Sequence, residues 1–94
     1  MLFVWDPEKA EANLKKHKVS FNLAATIFHD PFHLSVLDGK ERGEERWITI
    51  GLAADGYSLV VVHLYRDVGK NEVIRIISAR KATRKEKKQY EEGI

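Results

Sequence analysis

Arginine is the side chain best shaped to hold a phosphate: its planar guanidinium offers a fork of donors and stays charged. This 94-residue chain gathers basic residues near its end, with seven between Arg75 and Lys88 against one acid, Glu86. Arg75 interrupts the apolar run Val73-Ile74-Arg75-Ile76-Ile77, and Arg80, Lys81, Arg84 and Lys85 follow it around Thr83. Thr83 and Glu86 have the spacing of a capping box, so these cations crowd a helix N-terminus. There they oppose the helix dipole at only a few tenths of a kcal/mol each, yet the same arrangement seats an anion. The two readings, solvated basic end and phosphate site, are both open, and the second is the sharper. His63 adds a group that titrates near neutral pH, and Arg66 follows it at a turn beside Asp67.

Together these residue types suit single-stranded RNA. Bases would stack on Trp47 or Tyr65 while Arg75, Arg80 and Arg84 meet phosphates. Cutting that RNA requires charge stabilisation on phosphorus and two proton transfers, with arginines for the first and His63 for the second. Competing roles stand beside each of these. A lone histidine in an apolar strand also serves as a hydrogen-bonded structural residue, Arg66 as a surface charge, and Tyr90 as packing for the last helix rather than a substrate contact. His17, His29, His33 and His63 lack ligand spacing, so no metal is expected. Neither a phosphate-cradling glycine loop nor a nucleophile elbow is present, and no cofactor is implied.

The elements that must position these groups follow from local signals. Leu2 to Trp5 reads as a short strand, and Asp6-Pro7 opens a helix through His17 as cap and first helical residue. Lys15, Lys16, His17 and Lys18 then complement its C-terminal dipole. Ser20 caps a second helix, Phe21 to Phe28, which ends before Pro31. Phe32 to Leu37 alternates as a strand, and Asp38 to Glu45 reads as a charged, flexible loop. Strands follow at Arg46–Leu52 and Tyr57–Arg66, joined through Asp55-Gly56, and a turn at 67–71 leads into the Val73 strand.

Alternation splits these strands into two sets. Ile48, Ile50, Leu52, Val60, Val62, Leu64, Ile74 and Ile76 form an apolar set expected under the N-terminal helices. Trp47, Thr49, Gly51, Leu59, Val61, His63, Tyr65, Val73, Arg75 and Ile77 form a mixed set expected to make the exposed floor. The fold class is α+β: a compact antiparallel sheet of about four to five strands, two N-terminal helices on one face and a short C-terminal helix. Residues 1–94 are read as one domain.

Composition narrows the partners. The net charge is +2 with 32% charged residues, so the distribution of charge, not its total, points to nucleic acid. No cysteine is present, which removes disulfides and thiolate metal sites. No apolar run reaches the ~20 residues that span a bilayer. A soluble, cytoplasmic chain with no membrane partner is expected.

The order of residues also resembles a family. Trp5-Asp6-Pro7-Glu8-Lys9-Ala10, Asn13-Leu14, Lys16-His17, Val19-Ser20-Phe21, Asp30-Pro31, Glu44-Glu45-Arg46, Ile50-Gly51 and the block from Ile74 to Thr83 with Glu86 and Tyr90 resemble the BrnT toxins over nearly the whole chain. The resemblance implies a RelE/ParE-like fold and a ribonucleolytic toxin of a type II toxin–antitoxin pair. It implies a BrnA-like ribbon-helix-helix antitoxin as partner and contact with operator DNA only through that complex. The basic site it implies maps onto Arg80, with Arg75 and Arg84 near it and Arg66 a further member. Lys81, Lys85, Trp47, Tyr65 and Tyr90 complete the expected RNA-binding set, while His63 and His17 remain the proton-transfer candidates from the residues alone. One departure is Lys18, where the family usually has a glycine that caps the helix with positive φ. The loop from Asp38 also lacks the histidine that many relatives carry there. Two other classes fit the same face: a non-catalytic nucleic-acid-binding module, and a toxin that acts on a protein target.

Overall fold

A computed structural model describes residues 1–93. The chain forms β1 (Leu2–Val4), α1 (Pro7–His17), α2 (Phe21–Ala25) continued by a 3-10 turn (Thr26–His29), β2 (Leu34–Glu41), β3 (Glu44–Leu52), β4 (Ser58–Val68), β5 (Asn71–Lys81) and α3 (Arg84–Glu92). The strands make one five-stranded sheet in the order β1-β5-β4-β3-β2. Strands β2 to β5 form the expected antiparallel meander, but β1 lies parallel to β5, so the sheet is mixed. The parallel pair requires a crossover between its strands, and here the whole body of the chain supplies it.

Local signals act as expected at the helix ends. Asp6 accepts the Glu8 N–H at 2.9 Å, Ser20 accepts the Leu23 N–H at 3.0 Å, and Thr83 with Glu86 makes a complete capping box. Lys18 adopts φ 61° and closes α1 by donating its N–H to the Leu14 carbonyl, a left-handed cap made without glycine. The second helix tightens into a 3-10 turn after Ala25 and ends before Asp30-Pro31.

The segment from Asp38 to Glu45 departs from the expected loop. β2 continues through it to Glu41, and Arg42 and Gly43, with φ 51° and 80°, make a two-residue turn into β3. Positive φ at both central residues is the mark of a hairpin turn whose twist matches its strands. Arg46 stitches the hairpin by donating to Asp38 and Glu41, each at 3.2 Å. Charge patterning hid the strand because its side chains face water.

In β3 and β4 the core uses the set that alternation assigned to the outer floor, Thr49, Leu59, Val61 and His63, whereas in β5 Ile74 and Ile76 face the core as expected. Val19, Phe21, Ala24 and Ile27 pack on Leu59, Val61, Ile74, Ile76 and Ala79. Two features explain the difference between the strands. A Cβ at Gly51 would sit 3.0 Å from the Ile27 Cβ and 3.1 Å from its carbonyl oxygen, so this glycine admits the 3-10 turn onto the Thr49/Gly51 side. In β5, Ser78 pairs with Val62 and Ile76 with His63, leaving Ile77 as an extra residue. Such a bulge reverses the parity of the strand beyond it.

Asn13 fastens α1 to the sheet. Its amide donates to the carbonyls of Val19 at 2.9 Å and Ala79 at 2.8 Å, and accepts the Ala79 N–H at 3.1 Å. A buried amide with its groups satisfied in this way fixes position as well as adding stability.

Candidate nucleic-acid interface

The face away from α2 and the 3-10 turn is where the arginines collect. Register places Arg46 beside Leu64, Arg66 beside Val73, Arg75 beside Leu64 and Arg80 beside Val60. All four therefore project from the same side of β3, β4 and β5. Arg75 and Arg80 are five positions apart, a spacing that puts them on opposite faces of a regular strand. The bulge at Ile77 is what brings them together.

Ion pairing differs sharply among them. Arg80 makes a forked contact with Glu86, its two terminal nitrogens lying 2.7 and 2.8 Å from the carboxylate oxygens. Glu86 also accepts the Thr83 N–H at 2.8 Å. The Arg80 fork, with help from the Thr83 groups, holds the Glu86 carboxyl down at about 2. A carboxylate thus occupies the anion seat at the start of α3. Arg66 lies 3.8 Å from Glu44, and Arg46 is shared between Asp38 and Glu41. Arg75 has no ion pair among the described residues. It lines a polar cavity of about 400 Å³ with Arg42, Lys9, Glu41, Glu44 and Asp6.

The remaining basic residues divide. Arg84 and Lys85 are exposed in the first turn of α3, whereas Lys81 places its Nζ 4.2 Å from the centre of the Tyr57 ring. Tyr90 donates its hydroxyl to Asp30, whose carboxylate also accepts the N–H groups of Leu52 and Phe32. The bond to Asp30 pushes the Tyr90 hydroxyl up to about 12. Tyr90 is thereby an anchor that ties α3 to the 3-10 turn and β3.

His63, Trp47 and Tyr65 lie on the other side of the sheet, with the core. His63 is 4% exposed, with Phe28 edge-on to its ring at 5.0 Å. Its Nε2 is 2.8 Å from Thr49 Oγ1, which is 2.7 Å from Ser35 Oγ. Burial depresses its pKa to about 4, so at neutral pH it is an uncharged base enclosed by protein. The single floor of aromatics, histidine and arginines expected from alternation is therefore two surfaces divided by the sheet. His17 stands apart at the end of α1.

The structure adds Arg42, Arg46, Glu41 and Glu44 to the arginine face. Their signal was the alternating hairpin with an Arg-Gly turn, obscured by its charge. Among the described residues no cluster of histidine and acidic side chains is arranged to hold a metal ion. Nor is any helix long and apolar enough to cross a membrane.

These features define a small α+β protein with a five-stranded mixed sheet, three helices and an arginine-rich surface on the face opposite Phe21 and Ile27. The family described as "Ribonuclease toxin, BrnT, of type II toxin-antitoxin system" matches residues 5–86, and the chain belongs to that family. The crystal structure of the Brucella abortus ribonuclease toxin BrnT is similar, with a TM-score of 0.59 over 89% of this chain and 100% of that one. At 20% identity that likeness shows the shared fold. No curated protein matches the chain.

Proposed function

We propose that this protein cleaves mRNA without a metal ion, using the arginine face as its substrate surface, and so inhibits translation and growth. The observation that carries the reading is the convergence of Arg46, Arg66, Arg75 and Arg80 on one side of three adjacent strands. In the proposed reaction the ribose 2′-oxygen attacks the adjacent phosphorus, the P–O5′ bond breaks, and a cyclic phosphate and a 5′-hydroxyl result. One proton leaves the 2′-hydroxyl and one reaches the departing oxygen. Arg75 is the side chain best placed to meet the growing phosphorane charge, since no carboxylate among the described residues pairs with it. Glu41 and Glu44 line the same cavity and supply candidate bases. Arg80, on displacing Glu86, together with Arg84 and Lys85, holds flanking phosphates.

Its neutralising partner, in this reading, is a BrnA-like ribbon-helix-helix antitoxin that covers the arginine face, with operator DNA bound only through the complex. The exposed apolar strip beside the arginines, including Val36 at 66% exposure, supports a protein partner there. The RelE/ParE-like relationship belongs to the same proposal.

The deciding experiment is incubation of labelled RNA with purified protein in excess EDTA, without ribosomes, beside Arg75→Ala and Arg80→Ala. Cuts by the wild type, lost in Arg75→Ala with RNA binding retained, are the expected result. Binding without cuts by the wild type points to a non-catalytic module. If neither occurs while the chain still arrests growth and damages DNA, the target is a protein.

A further inference from the structure

The helix-side face of the sheet is not covered to its end. Beyond the 3-10 turn it opens into a pocket of about 220 Å³ whose lining includes Met1, Phe28, Trp47, His63, Tyr65 and Glu72. That volume is below the usual range of about 300–1,000 Å³ for small-molecule sites and suits one inserted side chain. The walls are aromatic. His63 borders it with Nδ1 buried and without a hydrogen-bond partner among the described residues.

The rim is acidic, and the strand register makes it so. Glu45 pairs with Tyr65 and Asp67 with Glu72, which places three carboxylates around the aromatic groups on one face. Two are tied to the rings: Trp47 Nε1–H donates to Glu45 at 3.4 Å, and the Tyr65 hydroxyl donates to Asp67 at 3.0 Å. The Asp67 bond and the surrounding carboxylates raise the Tyr65 pKa. None of the ion pairs among the described residues includes Glu45, Asp67 or Glu72. Like charges directly across a strand pair are unfavourable on their own and become favourable around a cation.

We infer that this pocket docks a single cationic side chain, arginine by preference, presented by a protein partner between apolar residues. Aromatic rings attract a guanidinium, and the three carboxylates complement its charge and its donors. The apolar flanks are also present, since Met1 is 58% and Leu37, paired with Trp47, 51% exposed. An RNA base entering here would bring its phosphates against the acidic rim. The inference rests on this surface alone and stands whether or not the opposite face cuts RNA.

The test follows the Trp47 indole N–H resonance while acetylated, amidated Leu-Arg-Leu is titrated in. Leu-Glu-Leu, Leu-norleucine-Leu and a short single-stranded RNA serve as comparison probes. A saturable shift is expected in the millimolar range, with the arginine peptide bound about tenfold more tightly than the other two. Added salt should weaken it, and the Glu45→Gln/Glu72→Gln double variant, changed only at the rim, should lose the preference. Equal binding of the norleucine peptide would overturn the inference in favour of a plain apolar patch. Saturable binding of RNA at Trp47 would overturn it in favour of a base pocket, and absence of any saturable shift would also overturn it.

Discussion

The acidic pocket and the arginine face are made by neighbouring residues of the same strands. Glu45, Tyr65 and Ile74 point one way, while Arg46, Leu64, Arg66 and Arg75 point the other. Alternation lets one strand carry opposite charges on its two faces at no conformational cost, provided that each face meets a different neighbour. On the helix side the neighbours are Phe28 and the core, so the histidine is neutral and the carboxylates sit only at the rim. On the other side the neighbours are α3, whose Glu86 pairs with Arg80, and the water and carboxylates around the remaining arginines. The lesson is that a composition of aromatic, histidine and arginine residues within a few strands does not make one site. Parity divides it.

Four changes would break or sharpen this division. The largest effect is expected from Arg75→Ala, which should lower RNA cleavage by about a hundredfold or more with little change in the urea midpoint. Comparable loss in His63→Gln, with the fold intact by circular dichroism, would move the chemistry to the other face.

Acid should read the two faces in sequence. His63 has a folded-state pKa of about 4 against an ordinary 6.5, so the unfolded chain binds the extra proton between those values. Its contribution is complete above pH 6.5 and is lost as pH falls toward 4, a difference of roughly 3 kcal/mol. Glu86, depressed from 4.5 to about 2, contributes above pH 4.5, and this is lost as pH falls through about 2. Denaturation curves across this range should lose the upper slope in His63→Gln and the lower slope in Glu86→Gln. The same slope in wild type and variant would remove that residue as the cause.

Tyr90→Phe removes one hydrogen bond to Asp30 and should cost about 1 kcal/mol of stability, with greater hydrogen exchange in α3 than in β4. The smallest expected effect is in Lys18→Gly, which relieves a left-handed backbone at a residue that carries a Cβ. It should stabilise by about 0.5–1 kcal/mol and leave cleavage unchanged. A change in cleavage there would show that the end of α1 contributes to the arginine face.

Much of the architecture was legible in the sequence because it depends on neighbours in the chain. Asp6-Pro7, Ser20 and Thr83 with Glu86 set the helix starts. The Asp55-Gly56 turn and the β-branched runs set the strands, and the basic block around Arg80 was visible as a charge asymmetry. The family likeness was carried by the same ordered residues. Charge masked the β2–β3 hairpin, whose solvent-facing strand looks like a loop when pairing is not in view.

The tertiary structure alone decided which face is which. Both sets of strand residues contain enough apolar surface to form a core, so hydrophobic pattern could not choose between them. Gly51 made room for Ile27 on one side. The bulge at Ile77 then offset β5 against β4, so that Ile74 and Ile76, inward as expected, lie beside Tyr65 and His63 while Arg75 shares the outward face with Arg80. A bulge adds a residue without an obligatory sequence signature, and the seating of Arg80 on Glu86 depends on where α3 returns. Local chemistry could place each group on its strand or helix, but only the packed sheet could place it on a face.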